Sequence, residues 1–293
     1  MKNLITLTTL LMVGVAIFVS SCKKEDEPAL PVLSFKTETG YISSDIALPY
    51  GDTLLFGIEA TSNGTDKLVK FQVFGNGLLL MDSTINTDSF SMGLISTKTI
   101  LDKEVWKFVI TDIAGNFTSD SITITGDFGD IYNFNGLALG AQNNTTVDGF
   151  ISYSASPAVT YTMDEAFDHQ ADIDMFCFYE NTASHVNLMT LAAPGSNITG
   201  IFSGSTSPEN YTTKNVTFFS KTDLTPAMFD AVTNDAIILE SFDPNNKFKK
   251  AKLLVPGDIY AFKLQSGKYG LLKVTNVIGV EDGSLEFDVK LQK

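Results

Sequence analysis

The chain has 293 residues, 44% hydrophobic and 18% charged, a composition that folds into globular domains instead of staying disordered. Its formal charge is −14 and every basic residue is a lysine. A field of that sign repels phosphate backbones, which argues against nucleic acid as a partner, and without arginine there is no planar fork for bidentate capture of carboxylate or phosphate.

Met1-Lys2-Asn3 supplies one positive charge, and an apolar run follows from Leu4 to Val19. That run is shorter than the ~20 residues that span a ~30 Å hydrocarbon core, and it ends in Val19-Ser20-Ser21-Cys22. Small residues directly before a cysteine resemble the lipobox of bacterial lipoproteins. The resemblance implies a signal peptide over 1–21, cleaved before Cys22, with lipid on the Cys22 thiol as the membrane contact. Two or three acyl chains at one cysteine hold a protein stably, where a single chain does so only marginally. The next tract, Lys23-Lys24-Glu25-Asp26-Glu27-Pro28, suits a solvated leash, and 22–30 is expected to be a lipidated linker. A charged tract at this place resembles the export signal of Bacteroidetes surface lipoproteins, which implies an outer-membrane lipoprotein facing outward; display toward the periplasm is the alternative.

From 31 to 126 short strands alternate with turns. Phe56, Ile58 and Ala60 face one way, as do Val69, Phe71 and Val73, then Trp106, Phe108 and Ile110, then Ile122 and Ile124. Asn76-Gly77 reads as a tight hairpin turn, because both residues tolerate positive φ. This patterning predicts a β-sandwich. Asp112-Ile113-Ala114-Gly115-Asn116 resembles the turn before the last hairpin of bacterial immunoglobulin-like domains, and implies that fold here. Trp106 is then expected in the core.

Gly126-Asp127-Phe128-Gly129-Asp130 reads as a boundary, with a second domain over 131–293. Strands are predicted at 132–139, 149–154, 173–180, 186–191, 216–220, 236–240, 258–264, 271–277 and 285–291. In the last of these Leu285, Phe287, Val289 and Leu291 alternate with Glu286, Asp288 and Lys290. A helix is predicted from Thr225, whose hydroxyl suits a cap before Pro226, and a shorter helical turn over 164–169. The fold class expected is mainly β: an immunoglobulin-like sandwich, then a second β-sandwich or barrel-like domain carrying one or two short helices.

Cys177 lies in an apolar run, Ile173 to Tyr179, and is expected to be a small buried hydrophobe. With Cys22 lipidated it has no partner for an intrachain disulfide. Asp164-Glu165, Asp168-His169, Asp172 and Asp174 form the richest polar cluster, but their spacing matches no EF-hand loop and no H-e-x-x-H pattern. No metal, cofactor or catalytic residue is therefore assigned, and a solvated turn is expected there. His185 stands alone, and no G-x-S-x-G elbow is present. Paired carboxylates are a weaker exclusion, since glycosidases need only two acids roughly 5–10 Å apart.

Immunoglobulin-like spacers joined to a distal binding domain also resemble the surface glycan-binding lipoproteins of the same phylum. Such proteins stack sugars on exposed aromatics. Here Tyr132, Tyr153, Tyr161, Tyr211, Tyr260 and Tyr269 would replace the tryptophan that the distal half lacks, each with a core or cross-strand role as its alternative. Asp52-Thr53-Leu54, Asp82-Ser83-Thr84 and Asp120-Ser121-Ile122 resemble the O-glycosylation triplet of exported Bacteroidetes proteins. The expected function is non-enzymatic binding or adhesion at the cell surface, with a glycan or a protein as partner. A carboxylate-dependent surface hydrolase and a structural component of a surface assembly are the alternatives.

Overall fold

The computed structural model describes residues 29–64 and 66–293. Cys22, the signal segment and the charged leash lie outside the described residues. The chain is mainly β and divides into two compact units. The first holds the chain up to Ser44, Leu55–Ile95 and Val105–Thr123; the second holds Asp45–Leu54, Ser96–Glu104 and Ile124–Lys293. Segments 45–54 and 96–104 group with the second unit through a mesh of backbone bonds. Lys98 N–H donates to Asp52 O, Gly51 N–H to Lys98 O, Gly126 N–H to Asp102 O and Asp127 N–H to Leu48 O.

The immunoglobulin-like sandwich uses strands β1 (Val32–Phe35), β2 (Ile46–Leu48), β3 (Thr53–Thr61), β4 (Leu68–Gly75), β5 (Leu78–Thr87), β6 (Ser89–Thr97), β7 (Lys103–Asp112) and β8 (Phe117–Gly126). They form two sheets, β1-β3-β6 and β2-β8-β7-β4-β5, with β2 parallel to β8. Phe56 of β3 meets Trp106 and Phe108 of β7 at 5.2 and 5.4 Å between ring centroids, and Phe35 meets Phe108 at 5.4 Å, so aromatic contacts weld the sheets. Trp106 is core, as its inward position predicts. Asn76 and Gly77 both have positive φ, 50° and 82°, in the turn joining β4 to β5. Asp112 accepts from the Asn116 backbone N–H and side-chain amide at 2.8 and 3.0 Å, and Gly115 takes φ 89°, so that turn is locked by its own residues. One detail departs from the alternation: Leu68, not Val69, is buried, because a register shift between Leu68 and Lys70 turns the strand start over.

The second unit is a β-sandwich of two antiparallel five-stranded sheets. One has the order β11-β10-β12-β13-β15, from β10 (Phe150–Ser152), β11 (Val159–Tyr161), β12 (Met175–Asn181), β13 (Val186–Ala192) and β15 (Lys250–Ala251). The other has the order β14-β16-β17-β18-β9, from β9 (Ile131–Gly140), β14 (Phe218–Lys221), β16 (Ile259–Lys263), β17 (Tyr269–Ile278) and β18 (Ser284–Gln292). Between them Met175, Cys177, Met189 and Leu191 pack with Phe262, Leu272, Phe287 and Val289.

Three short α-helices are present among the described residues, α1 (Met163–Asp168), α2 (Pro226–Asp230) and α3 (Ala236–Ser241). They give both sheets a second apolar face. Ala166 of α1 with Ile198, Phe202 and Tyr211 covers Phe150, Phe176 and Phe178; Phe229 of α2 and Ile238 of α3 cover Ile259, Ala261 and Leu271. This double coverage explains the unbroken apolar run Met175 to Phe178, whose residues face a core on either side.

Segment 236–240 is α3 and not the expected strand. A short apolar run is ambiguous in period; here Asn234 Oδ1 accepts from Ala236 N–H and buries Ala236 and Ile238 on one side. Strands β11 and β15, of three and two residues, carry too little pattern to be read in advance. Helix α1 opens with a capping box: the Thr162 hydroxyl accepts from Glu165 N–H, and the Glu165 carboxylate accepts from Thr162 N–H at 3.0 Å. Thr162→Ala is expected to cost about 1 kcal/mol in urea unfolding, and a loss below about 0.3 kcal/mol would show the box to be decorative.

Candidate functional site

In the second unit, a hollow of about 370 Å³ opens where four segments converge. The end of β10 brings Tyr153 and Ser154, the approach to β12 brings Ala171, Asp172 and Asp174, the approach to β14 brings Asn215, and the β16–β17 hairpin brings Leu264, Gln265, Ser266 and Lys268. The hairpin tip turns at Gly267, whose φ of 93° suits glycine, and closes through Leu264 N–H to Lys268 O at 2.9 Å.

The wall is rigid because its polar groups hold one another. Asn215 donates through its amide to Ala171 O and Ile173 O at 2.7 and 3.1 Å, and Thr217 Oγ1 donates to Asp174 O at 2.8 Å. Gln265 Oε1 accepts from Val216 N–H at 3.2 Å. Asp174 N–H donates to Ile151 O, and its Oδ2 accepts from Tyr153 N–H at 2.7 Å. Asp174 is only 8% exposed, and the buried side-chain atoms that lack a hydrogen-bond partner among the described residues are the hydroxyls of Tyr153, in this wall, and of Tyr211. Burial raises the Asp174 carboxyl to about 6; the Tyr153 N–H works against that rise and the Asp172 charge adds to it. Asp172 is half exposed and lies 3.6 Å from His169 Nδ1, whose ring rests on Tyr161 at 4.9 Å.

The polar cluster of the sequence is thus split. Asp164 accepts from Thr206 Oγ1, Glu165 belongs to the α1 cap, and Asp172 and Asp174 reach the hollow from just before β12. No group of three or more His, Cys, Asp and Glu able to hold a metal occurs among the described residues. Cys177 is a buried free thiol against Met189 Sδ at 3.3 Å, and burial pushes its thiol far up, which suits a hydrophobe and not a nucleophile. His185 faces Glu180 at 3.9 Å in a smaller hollow of about 210 Å³ with Lys250.

Of the six tyrosines singled out in the sequence, only Tyr153 lines the main hollow. Tyr153, Tyr211 and Tyr260 are buried; Tyr132, Tyr161 and Tyr269 are half-buried. Tyr132 underlies both Lys268 and Lys293, each 5.8 Å from its ring centre. Ser154, Asn215, Gln265 and Lys268 carry no local motif. Tertiary convergence alone makes them wall residues.

No family model and no curated protein matches this chain. Among solved structures it is similar to a DUF4466 family protein from Parabacteroides merdae, at 12% identity and TM-score 0.41, over 90% of this chain and 99% of that one. It is also similar to fibronectin(III)-like modules of Clostridium thermocellum CbhA, at 14% identity and TM-score 0.25, over 34% of this chain and 47% of that one.

Proposed function

We propose that the chain is a lipid-anchored, outward-facing envelope protein, tethered through Cys22, that binds a glycan without cleaving it. The hollow around Asp174 carries this reading. Its volume of about 370 Å³ lies in the range of small-ligand sites, and carboxylate, amide and hydroxyl groups converge on it from four segments. Vicinal sugar hydroxyls are both donors and acceptors, and planar carboxylates and amides match them in pairs. The acidic surface disfavours anionic lipid and nucleic acid, which leaves the acyl chains on Cys22 as the membrane contact.

A second reading, a carboxylate-dependent hydrolase, is favoured by one observation. Asp174, raised to about 6, sits beside Asp172 in the same hollow, and a carboxyl that keeps its proton near neutrality is the kind that serves as a general acid. One experiment separates the two. The soluble form starting at Lys24 is screened on a glycan array, and bound glycans are then checked for new reducing ends. Retention of at least one glycan, weakened roughly ten-fold or more by Lys268→Ala with no release of fragments, is the expected result. Fragments that disappear in Asp174→Asn would establish the hydrolase, and no retention of any glycan would end both readings.

A further inference from the structure

One end of the immunoglobulin-like unit carries apolar side chains that have no place in its core. We infer that this end rests on the lipid surface, with Ile113 and Phe117 inserted at the headgroup boundary. The inference rests on the Cys22 tether proposed above and adds a protein contact to that of the acyl chains.

The strand pairings define that end. There β1 begins, with Val32 opposite Thr61 at the close of β3, and β4 begins, with Leu68 opposite Asp112 at the close of β7. The 112–117 turn follows, and the Thr118 hydroxyl donates to Pro31 O, which fixes β8 beside the incoming chain. Ile113 is 68% exposed and Phe117 59%, and Leu30 and Val32 at the same end are exposed as well. Turn chemistry accounts for Asp112, Gly115 and Asn116 but asks nothing apolar of position 113. The one charge in the turn, Asp112, is buried and bonded to Asn116, so the tip has no charge at its surface in a chain that is 18% charged. Its backbone suits an apolar medium, where an unpaired donor is costly: Ile113 N–H donates to Lys67 O, Gly115 N–H to Asp112 O and Asn116 N–H to Asp112 Oδ1. The charges at the same end are Lys67, Asp66 and Asp88, and a zwitterionic headgroup layer accepts both signs.

Where the chain enters decides what covers the tip. Ala29 opens the described residues at this end, and seven residue steps separate it from Cys22, a span of at most about 25 Å. A bilayer holding the Cys22 acyl chains is thus within reach of Ile113 and Phe117, and tethering lets a weak contact persist by raising its effective concentration. Apolar burial at the interface needs no anionic lipid, so the acidic field of the chain does not oppose it.

The full mature chain in phosphatidylcholine vesicles tests this, with acylation of Cys22 read by mass spectrometry. Cys177 is buried, so a thiol fluorophore on Ala114→Cys or on Leu78→Cys reports one exposed site each, Leu78 lying at the far end of β4 from Leu68. The label at 114 is expected to lie roughly 5–10 Å into the headgroup–acyl boundary, and a lipid-borne nitroxide to quench it several-fold more than the label at 78. Ile113→Ser with Phe117→Ser, both at exposed positions, is expected to bring quenching at 114 down to the level at 78, and Phe117→Leu to leave it in place. Equal lipid quenching at the two sites in an acylated chain would overturn the inference and leave the tether intact. Shielding of the 114 label from lipid-borne and aqueous quenchers alike would also overturn it, because a second copy would then cover the tip. Absence of acyl groups on Cys22 would overturn the tether, and this inference with it.

Discussion

Lys98→Ala is expected to cost about 3–5 kcal/mol of stability, enough to consume much of the margin of an ordinary domain. The Lys98 side chain is fully buried, and its ammonium donates to Thr99 O at 2.8 Å, Leu101 O at 2.5 Å and Glu104 Oε1 at 2.9 Å. Glu104 Oε1 also accepts from Thr99 N–H and Thr99 Oγ1, each at 2.8 Å. Removing the ammonium takes the counter-charge from a buried carboxylate and the donor from two carbonyls. Asymmetric loss of this kind costs far more than the intact pair contributes. Lys98→Met combined with Glu104→Leu removes both charges and is expected to recover most of the loss.

Acid offers an independent check. Burial penalises the charged form of Glu104, but hydrogen bonds from Lys98 and Thr99 outweigh it and hold the carboxyl below its ordinary value. A carboxyl lowered by folding contributes stability above its unfolded pKa and loses that contribution as pH falls through the folded one. The gap between wild type and Lys98→Ala should therefore be full at pH 7 and narrow below about pH 4. Urea titrations at pH 7 and pH 3.5 measure it. A loss under 1 kcal/mol at pH 7 would show that water, not protein, surrounds this pair.

The residues that were legible in the sequence are those whose environment is set by neighbours along the chain. Phe56, Ile58 and Ala60 alternate because β3 has one core face, and Asn76-Gly77 and Asp112 to Asn116 build turns from their own side chains and backbone. Thr225 marks a helix start for the same reason, whereas the Thr162 cap of α1 appears only in the structure. Legibility fails where tertiary contacts decide. Val69 gives way to Leu68 at a register shift, Ala236 to Leu239 becomes helix because it covers a sheet, and Lys98 looks like any surface lysine in a loop. The candidate site belongs to this second group. Asp172 and Asp174 were visible as part of an acidic cluster, but residues more than 40 positions apart make them one wall: Asn215 holds the backbone at Ala171 and Ile173, and Thr217 the backbone at Asp174.

Asp174→Asn is expected to stabilise the free protein at pH 8 by about 1–3 kcal/mol and to leave its stability nearly unchanged at pH 4. An asparagine keeps an oxygen for the Tyr153 N–H and removes the charge, while the chain around Ile151 and Thr217 bonds through the backbone of residue 174 and is untouched. The folded carboxyl titrates at about 6 against an ordinary 3.8, so the folded state holds the proton more tightly than the unfolded one. Wild-type stability therefore falls as pH rises between those two values and stays reduced above them. The displacement corresponds to at most roughly 3 kcal/mol, less whatever water reaching the hollow recovers. Thermal unfolding of both proteins at pH 4 and pH 8 reads the difference directly. Equal or lower stability of Asp174→Asn at pH 8 would mean that the charge is compensated within the protein and needs no ligand.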